Sequence, residues 1–138
     1  MFKPGTIAIP LRDVAGKLWS LQSINGQGTK LFPKYGRKSG CFHVLGESHD
    51  AGDMAVAEGY ATAASVHMAL GWPVAMSVDS GNLPAVTRAL KSRYPQVRLM
   101  VAGDDDPEVS GNPGRTKAEA AAQAVNGYTV FPNYVEQA

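Results

Sequence analysis

From Met54 onward the apolar positions fall into short unbroken runs separated by stretches in which they recur at helical spacing. The runs are Met54-Ala55-Val56-Ala57, Val74-Ala75-Met76-Ser77-Val78, Val97-Arg98-Leu99-Met100-Val101-Ala102 and Tyr128-Thr129-Val130-Phe131. Runs this short, bounded by glycine, proline or acidic residues, read as strands buried on both faces. Between the first two, Ala61 to Leu70 is alanine-rich and helical, with Gly71 and Pro73 stopping it. Asn82 is placed to cap a second helix that runs through Arg93 and carries Val86, Leu90 and Tyr94 on its apolar side. A loop over 107–115, with two prolines and two glycines, precedes a third helix that begins at Thr116 or nearby, covers Lys117 to Val125, and ends at Asn126-Gly127. Strand–helix–strand alternation at this spacing calls for right-handed crossovers and a mainly parallel sheet.

The first 49 residues are patterned differently. Thr6-Ile7-Ala8-Ile9-Pro10 is extended, Val14 to Lys17 is a turn, and Leu18-Trp19-Ser20-Leu21-Gln22-Ser23-Ile24 alternates with period two. Asn25-Gly26 is a hairpin signal, and Gly28 close behind lengthens the loop. Lys30-Leu31-Phe32 and Cys41 to Leu45 supply two more strands, separated by the basic loop Pro33-Lys34-Tyr35-Gly36-Arg37-Lys38-Ser39-Gly40. The expectation is an α/β chain in two parts: a small antiparallel β unit over 1–49, then an α/β domain over 50–138. Trp19 and Phe42 are expected at the junction between them.

Composition adds limits. With 138 residues, 44% of them apolar and 18% charged, the chain suits one well-formed core. No apolar run reaches membrane-spanning length and the start lacks the apolar core of a signal peptide, so no membrane partner and a cytoplasmic location are expected. Cys41 is the single cysteine, which excludes an internal disulfide and a cysteine zinc cluster. His43, His49 and His67 show no metal-ligand spacing. Charge is divided: seven basic and two acidic side chains give residues 1–49 a net +5, and six basic against ten acidic give 50–138 a net −4. A basic front beside an acidic back suits a polyanion held next to a cation site.

Glu58, Asp79 and Asp104 each fall just beyond an expected strand, and Asp106 follows two residues after Asp104. In an open parallel sheet those strand ends border the crevice where ligands bind. Carboxylates without cysteine or histidine company favour Mg²⁺ or Mn²⁺ over zinc. Acids in such loops also serve helix N-termini, and for Asp79 that reading is as good as the functional one.

Val56-Ala57-Glu58-Gly59-Tyr60-Ala61-Thr62-Ala63 resembles the signature of Toprim-domain primases carried by plasmids and some phages. Asp79-Ser80-Gly81-Asn82-Leu83 is similar to their acidic-glycine-asparagine turn, Asp104 and Asp106 match their Asp-x-Asp, and Asn112-Pro113-Gly114-Arg115-Thr116-Lys117-Ala118 looks like the segment leading into their next helix. Ile9 to Lys17 and Thr29 to Phe32 resemble the basic β-rich subdomain that precedes Toprim in bacterial-type primases. The resemblance implies a Rossmann-like Toprim domain after the β unit. It also implies a DNA primase core, a nucleotidyltransferase that makes short RNA primers on single-stranded DNA with Mg²⁺ or Mn²⁺. Glu58, Asp104 and Asp106 would be its catalytic and metal residues. Arg12, Lys30, Lys34, Arg37, Lys38 and Lys117 would contact nucleoside triphosphates or template phosphates. Apart from the resemblance, Tyr60 directly after the glycine turn suits a place near a nucleotide and a packing role equally well. Pro107 and Glu108 depart from the family's further acid after Asp-x-Asp. No zinc module, helicase segment or P-loop pattern is present, so helicase or other replication or conjugation domains are implied as partners. The alternatives are a Toprim metal-dependent nuclease, using the same acids without a nucleotide-feeding unit, and a non-catalytic nucleotide or single-stranded DNA-binding module.

Overall fold

The computed structural model describes residues 2–47, 52–105 and 107–132. Asp106 and His49 lie outside the described residues, as does the expected boundary between 49 and 50. Strands β1 (Ile7–Arg12), β2 (Leu18–Ile24) and β3 (Lys30–Leu31) form an antiparallel sheet in that order. The Asn25 side chain organises the β2–β3 loop by accepting from the Gln27 and Thr29 amides at 3.0 and 2.9 Å. A second sheet takes β4 (His43–Leu45), β5 (Asp53–Ala57), β6 (Val74–Met76), β7 (Arg98–Ala102) and β8 (Tyr128–Val130) in the order β4-β6-β5-β7-β8. All neighbours are parallel except β4, which runs antiparallel to β6.

Helices α1 (Tyr60–Leu70), α2 (Leu83–Arg93) and α3 (Pro113–Ala124) connect the strands, with a short 3-10 helix, Ser80–Asn82, entering α2. Alternating side chains of the central strands feed two cores, as period two requires. Met54, Val56, Leu99 and Val101 pack with Leu83, Val86 and Leu90 of α2 and Ala118, Ala121 and Ala122 of α3. Ala55, Ala57, Val74, Met76, Met100 and Ala102 pack with Ala63 of α1 and with Ile9 and Leu11 of β1. The front sheet is therefore built into one core of the larger sheet through β1.

Four expectations change. The Cys41–Leu45 strand leaves the front unit: His43, Val44 and Leu45 pair with Met76, Ala75 and Val74. The third helix starts at Pro113, since proline is tolerated in the first turn, where its missing N–H has no partner to lose. Strand β6 stops at Met76, because Val78 turns to φ +77, a left-handed conformation rare for a β-branched residue. Phe42 is buried in the core as expected. Trp19 is 38% exposed and lies on the surface.

Candidate active site

The strand order makes a switch point. From β5 the chain moves to β6 on one side through α1, then returns through α2 to β7 on the other side. Connections leaving in opposite directions open a crevice at the carboxyl edge. Ala57 is level with Ala102 in the parallel ladder, so Glu58 and Asp104 emerge one and two residues beyond neighbouring strand ends. Both are half-buried, and Oε1 of Glu58 is sealed from solvent. Asp79 leaves β6 on the other flank of β5.

The turn after Glu58 receives a cation from the front unit. A Cβ built on Gly59 would stand 3.3 Å from Nζ of Lys30, so the ammonium lies directly against this turn. Lys30 alone among the six basic candidates reaches the Glu58 turn in this way. Asp105, between the two acids of the Asp-x-Asp, has a supporting role the sequence did not disclose. Its Oδ1 accepts from Asn112 Nδ2 at 2.5 Å, and its Oδ2 is 3.7 Å from Arg115. Arg115 in turn lies 4.2 Å over the Phe131 ring and bonds Glu119 at 3.1 Å. Asp105 thus ties the end of β7 to the start of α3.

A cleft of about 510 Å³ opens over the Asp79 turn between Lys38 and Lys117. Lys38 is ion-paired with Asp79 Oδ2, each side chain 42% exposed. Lys117 Nζ approaches Ser80 Oγ at 3.4 Å. A half-exposed pair of this kind contributes little to stability, so Lys38 is readily available to a stronger anion. Asp79 Oδ1 accepts from the Asn82 amide at 3.0 Å, so the residue caps the 3-10 helix and partners a lysine at once.

The other basic candidates sit elsewhere. Arg12 donates to the Gly16 carbonyl at 3.1 Å and lines a separate groove with Leu90 and Tyr94. Lys34 reaches over the Tyr35 ring at 5.4 Å on the exposed loop. Arg37 lies 4.3 Å over Trp19, whose ring Lys17 also approaches at 4.0 Å. Trp19 Nε1 donates to Asp13 Oδ2 at 2.8 Å, and this bond holds the Asp13 carboxyl below its usual range. Lys17, Trp19 and Arg37 make a basic and aromatic surface, with Arg37 a sequence candidate and Lys17 a residue that no motif marks. Tyr60 is half-buried, its ring 6.3 Å from that of His43.

Among the described residues no group of three or more histidine, cysteine, aspartate or glutamate side chains forms a metal cage. The donor set still fits Mg²⁺ or Mn²⁺. Such ions are commonly held by one or two carboxylates, with waters and substrate phosphates completing the shell. Glu58 and Asp104 are the described residues that could hold one.

An open, doubly wound sheet with an acidic working edge, and a basic antiparallel unit packed onto it, defines the class. The Toprim domain family profile matches residues 53–137, and the chain belongs to that family. It is 48% identical over 131 residues to a DNA primase TraC of Escherichia coli, and 47% identical over 131 residues to another DNA primase TraC of that species. The matches take 90% of this chain and 12% and 9% of those relatives, so the chain spans about a tenth of their length. It also superposes on the primase fragment of the bacteriophage T7 primase-helicase protein, with a TM-score of 0.64 and 17% identity over 93% of this chain and 52% of that one. T7 primase domains bound to an RNA/DNA hybrid and dTTP, alongside the phage's lagging-strand DNA polymerase, give a TM-score of 0.62 and 16% identity over 94% of this chain and 65% of that one. The T7 likenesses establish the fold.

Proposed function

We propose that the chain is the catalytic core of a DNA primase, which joins ribonucleotides into short primers on a single-stranded DNA template. The observation that carries this reading is the placement of Glu58 and Asp104 just beyond neighbouring strand ends at the switch point, with Lys30 of the basic unit against the Glu58 turn. The strong identity to proteins named DNA primase supports it. In this reading residues 1–49 feed template and nucleotides, and 50–138 carry the chemistry.

Glu58 and Asp104 would hold Mg²⁺ or Mn²⁺, with Asp106 the further acid that the family resemblance assigns to the same ion. When bound, such an ion would supply charge neutralisation for the triphosphate and for the pyrophosphate that leaves. Lys30, Lys38 and Lys117 hold phosphate oxygens along the carboxyl edge. A 3′-hydroxyl attacks the α-phosphorus and gives up its proton to solvent; the new P–O bond forms as the bond to the β-phosphate oxygen breaks, and pyrophosphate leaves. Lys34, Arg37 and Arg12 contribute to the field that draws template phosphates to the front. A basic unit packed against the acidic edge favours synthesis over phosphodiester cleavage, which needs no such feed. Further domains of the parent polypeptide, helicase or other replication or conjugation modules, supply template selection and unwinding. No helix among the described residues is long and apolar enough to cross a membrane, and a cytoplasmic location belongs to the same proposal.

Primer synthesis from labelled ribonucleotides on single-stranded DNA tests this, with Glu58→Gln and Asp104→Asn as controls. Loss of several kcal/mol of charge stabilisation predicts a fall of about 10²–10³ in rate for each variant. Variants as active as wild type would sink the site assignment. Cleaved template without primers would put the nuclease reading first, and tight DNA binding with no chemistry would favour the binding module.

A further inference from the structure

Asn82 is 3% exposed, and its carboxamide is engaged at both ends. Nδ2 donates to the carbonyls of Lys38, Cys41 and Ser77 at 3.0, 2.9 and 2.9 Å, and Oδ1 accepts from the Gly40 amide at 2.8 Å. Lys38 and Gly40 belong to the basic loop of the front unit, Cys41 follows that loop directly, and Ser77 opens the Asp79 turn. Two N–H bonds shared among three carbonyls, plus one acceptor, is a demand that a short carboxamide meets and a carboxylate does not. The sequence reading gave Asn82 to the cap of α2, but its side chain makes no capping bond there.

The turn it holds is strained. Val78, next to Ser77, has φ +77. Such a conformation persists for a β-branched residue only where its surroundings over-determine it. Asn82 fastens both the Ser77 carbonyl before the strained residue and, through its own amide, Asp79 after it. Asp79 then has Oδ2 left for Lys38.

We propose that Asn82 is a positioning residue that fixes the Lys38 ammonium at the cleft shared with Lys117, where it receives the polyphosphate of a nucleoside triphosphate. This rests on the primase reading of that cleft. Asn82 touches no substrate; it acts by latching the loop of one sheet onto the turn of the other.

Cys41 is a built-in reporter. It is buried, its carbonyl is one of the latched groups, and burial pushes its thiol pKa up, so the thiol reacts only when the loop opens. Thiol labelling by a disulfide reagent, MgATP affinity, and nucleotide KM and kcat are measured for wild type, Lys38→Met, Asn82→Ala and the double variant. Each single variant is expected to weaken MgATP binding and raise KM about tenfold, as for one lost charge-assisted phosphate contact, with kcat falling by less. The double variant should match a single one instead of multiplying to about a hundredfold. Asn82→Ala, and not Lys38→Met, should speed Cys41 labelling with the circular dichroism unchanged.

Multiplicative effects on KM and affinity, or Cys41 labelling at the wild-type rate in Asn82→Ala, would overturn the proposal. Should Asn82→Ala fail to fold, two measurements without it decide. The wild-type Gly40 amide should exchange as slowly as that of Ser77, which bonds the Ala57 carbonyl just beyond β6, and Lys38→Met should still lose MgATP affinity. Exchange as fast as the Gly28 turn amide, or unchanged affinity, would overturn it. A wild type that binds MgATP and shows the latch but makes no primers would reject the primase reading alone.

Discussion

His43 begins the antiparallel edge strand half-buried, lining one groove with Arg12. Burial pushes its imidazole below the usual range. The Pro10 carbonyl opposes that shift and the Arg12 charge adds to it. The unfolded chain therefore takes up this proton first as pH falls. Stability from the neutral ring is complete above the ordinary histidine pKa of 6.5 and is lost as pH falls through the lower folded value. Urea unfolding of wild type and His43→Asn at about pH 7.5 and 5 should show the larger loss in wild type. Equal losses would show that His43 does not drive the change. The Asp13 shift acts at lower pH, below its ordinary 3.8. At this scale the sequence disclosed what local spacing encodes. The position of Glu58 and Asp104 at strand ends was legible because each follows an apolar run. The bonds from Asn82 to Lys38 and Cys41 were not, because nothing near Asn82 names partners 44 and 41 residues upstream.

Among the elements, close approach at the end of β7 and the start of β8 decides which substitutions the sheet accepts. A Cβ on Gly127 would stand 2.5 Å from the Leu99 carbonyl oxygen, a backbone atom that cannot step aside. One on Gly103 would stand 2.6 Å from the Ala118 Cβ of α3. Gly127→Ala should cost about 1–3 kcal/mol in chemical denaturation, in the range of overpacking. Gly26→Ala, whose added Cβ meets nothing within 4 Å, should stay within about 0.5 kcal/mol of wild type. Equal stabilities would contradict the packing of β8 against β7. The strands and helices of this part were readable because fully apolar runs and helical spacing are local signals. The membership of β4 was not, since three residues, His43–Leu45, pair through backbone groups that any side chain supplies.

For the whole molecule, the division of charge between residues 1–49 and 50–138 is the property on which the proposed template binding depends. The net +5 of residues 1–49 is not spread evenly once the sheets pack. Lys30 faces the acidic turn, Lys38 joins Lys117 over the neighbouring cleft, and Lys34 and Arg37 remain outward on the loop between them and Trp19. If the outward cations follow a single-stranded template, binding releases counterions in proportion to the phosphates they neutralise. Each contact then contributes about 0.7 to the slope of log affinity against log salt. Lys34→Ala and Arg37→Ala should each lower that slope by about 0.7, with the nucleotide KM little changed. Lys38→Met should do the reverse, raising KM while leaving most of the slope. Arg88→Ala, an exposed charge on α2 beneath the opposite face of the sheet, should change neither. A slope that responds to Arg88 as strongly as to Arg37 would mean that net charge alone draws the template. A slope that responds to Lys38 as to Lys34 would mean that the template, and not the triphosphate alone, meets the cation paired with Asp79.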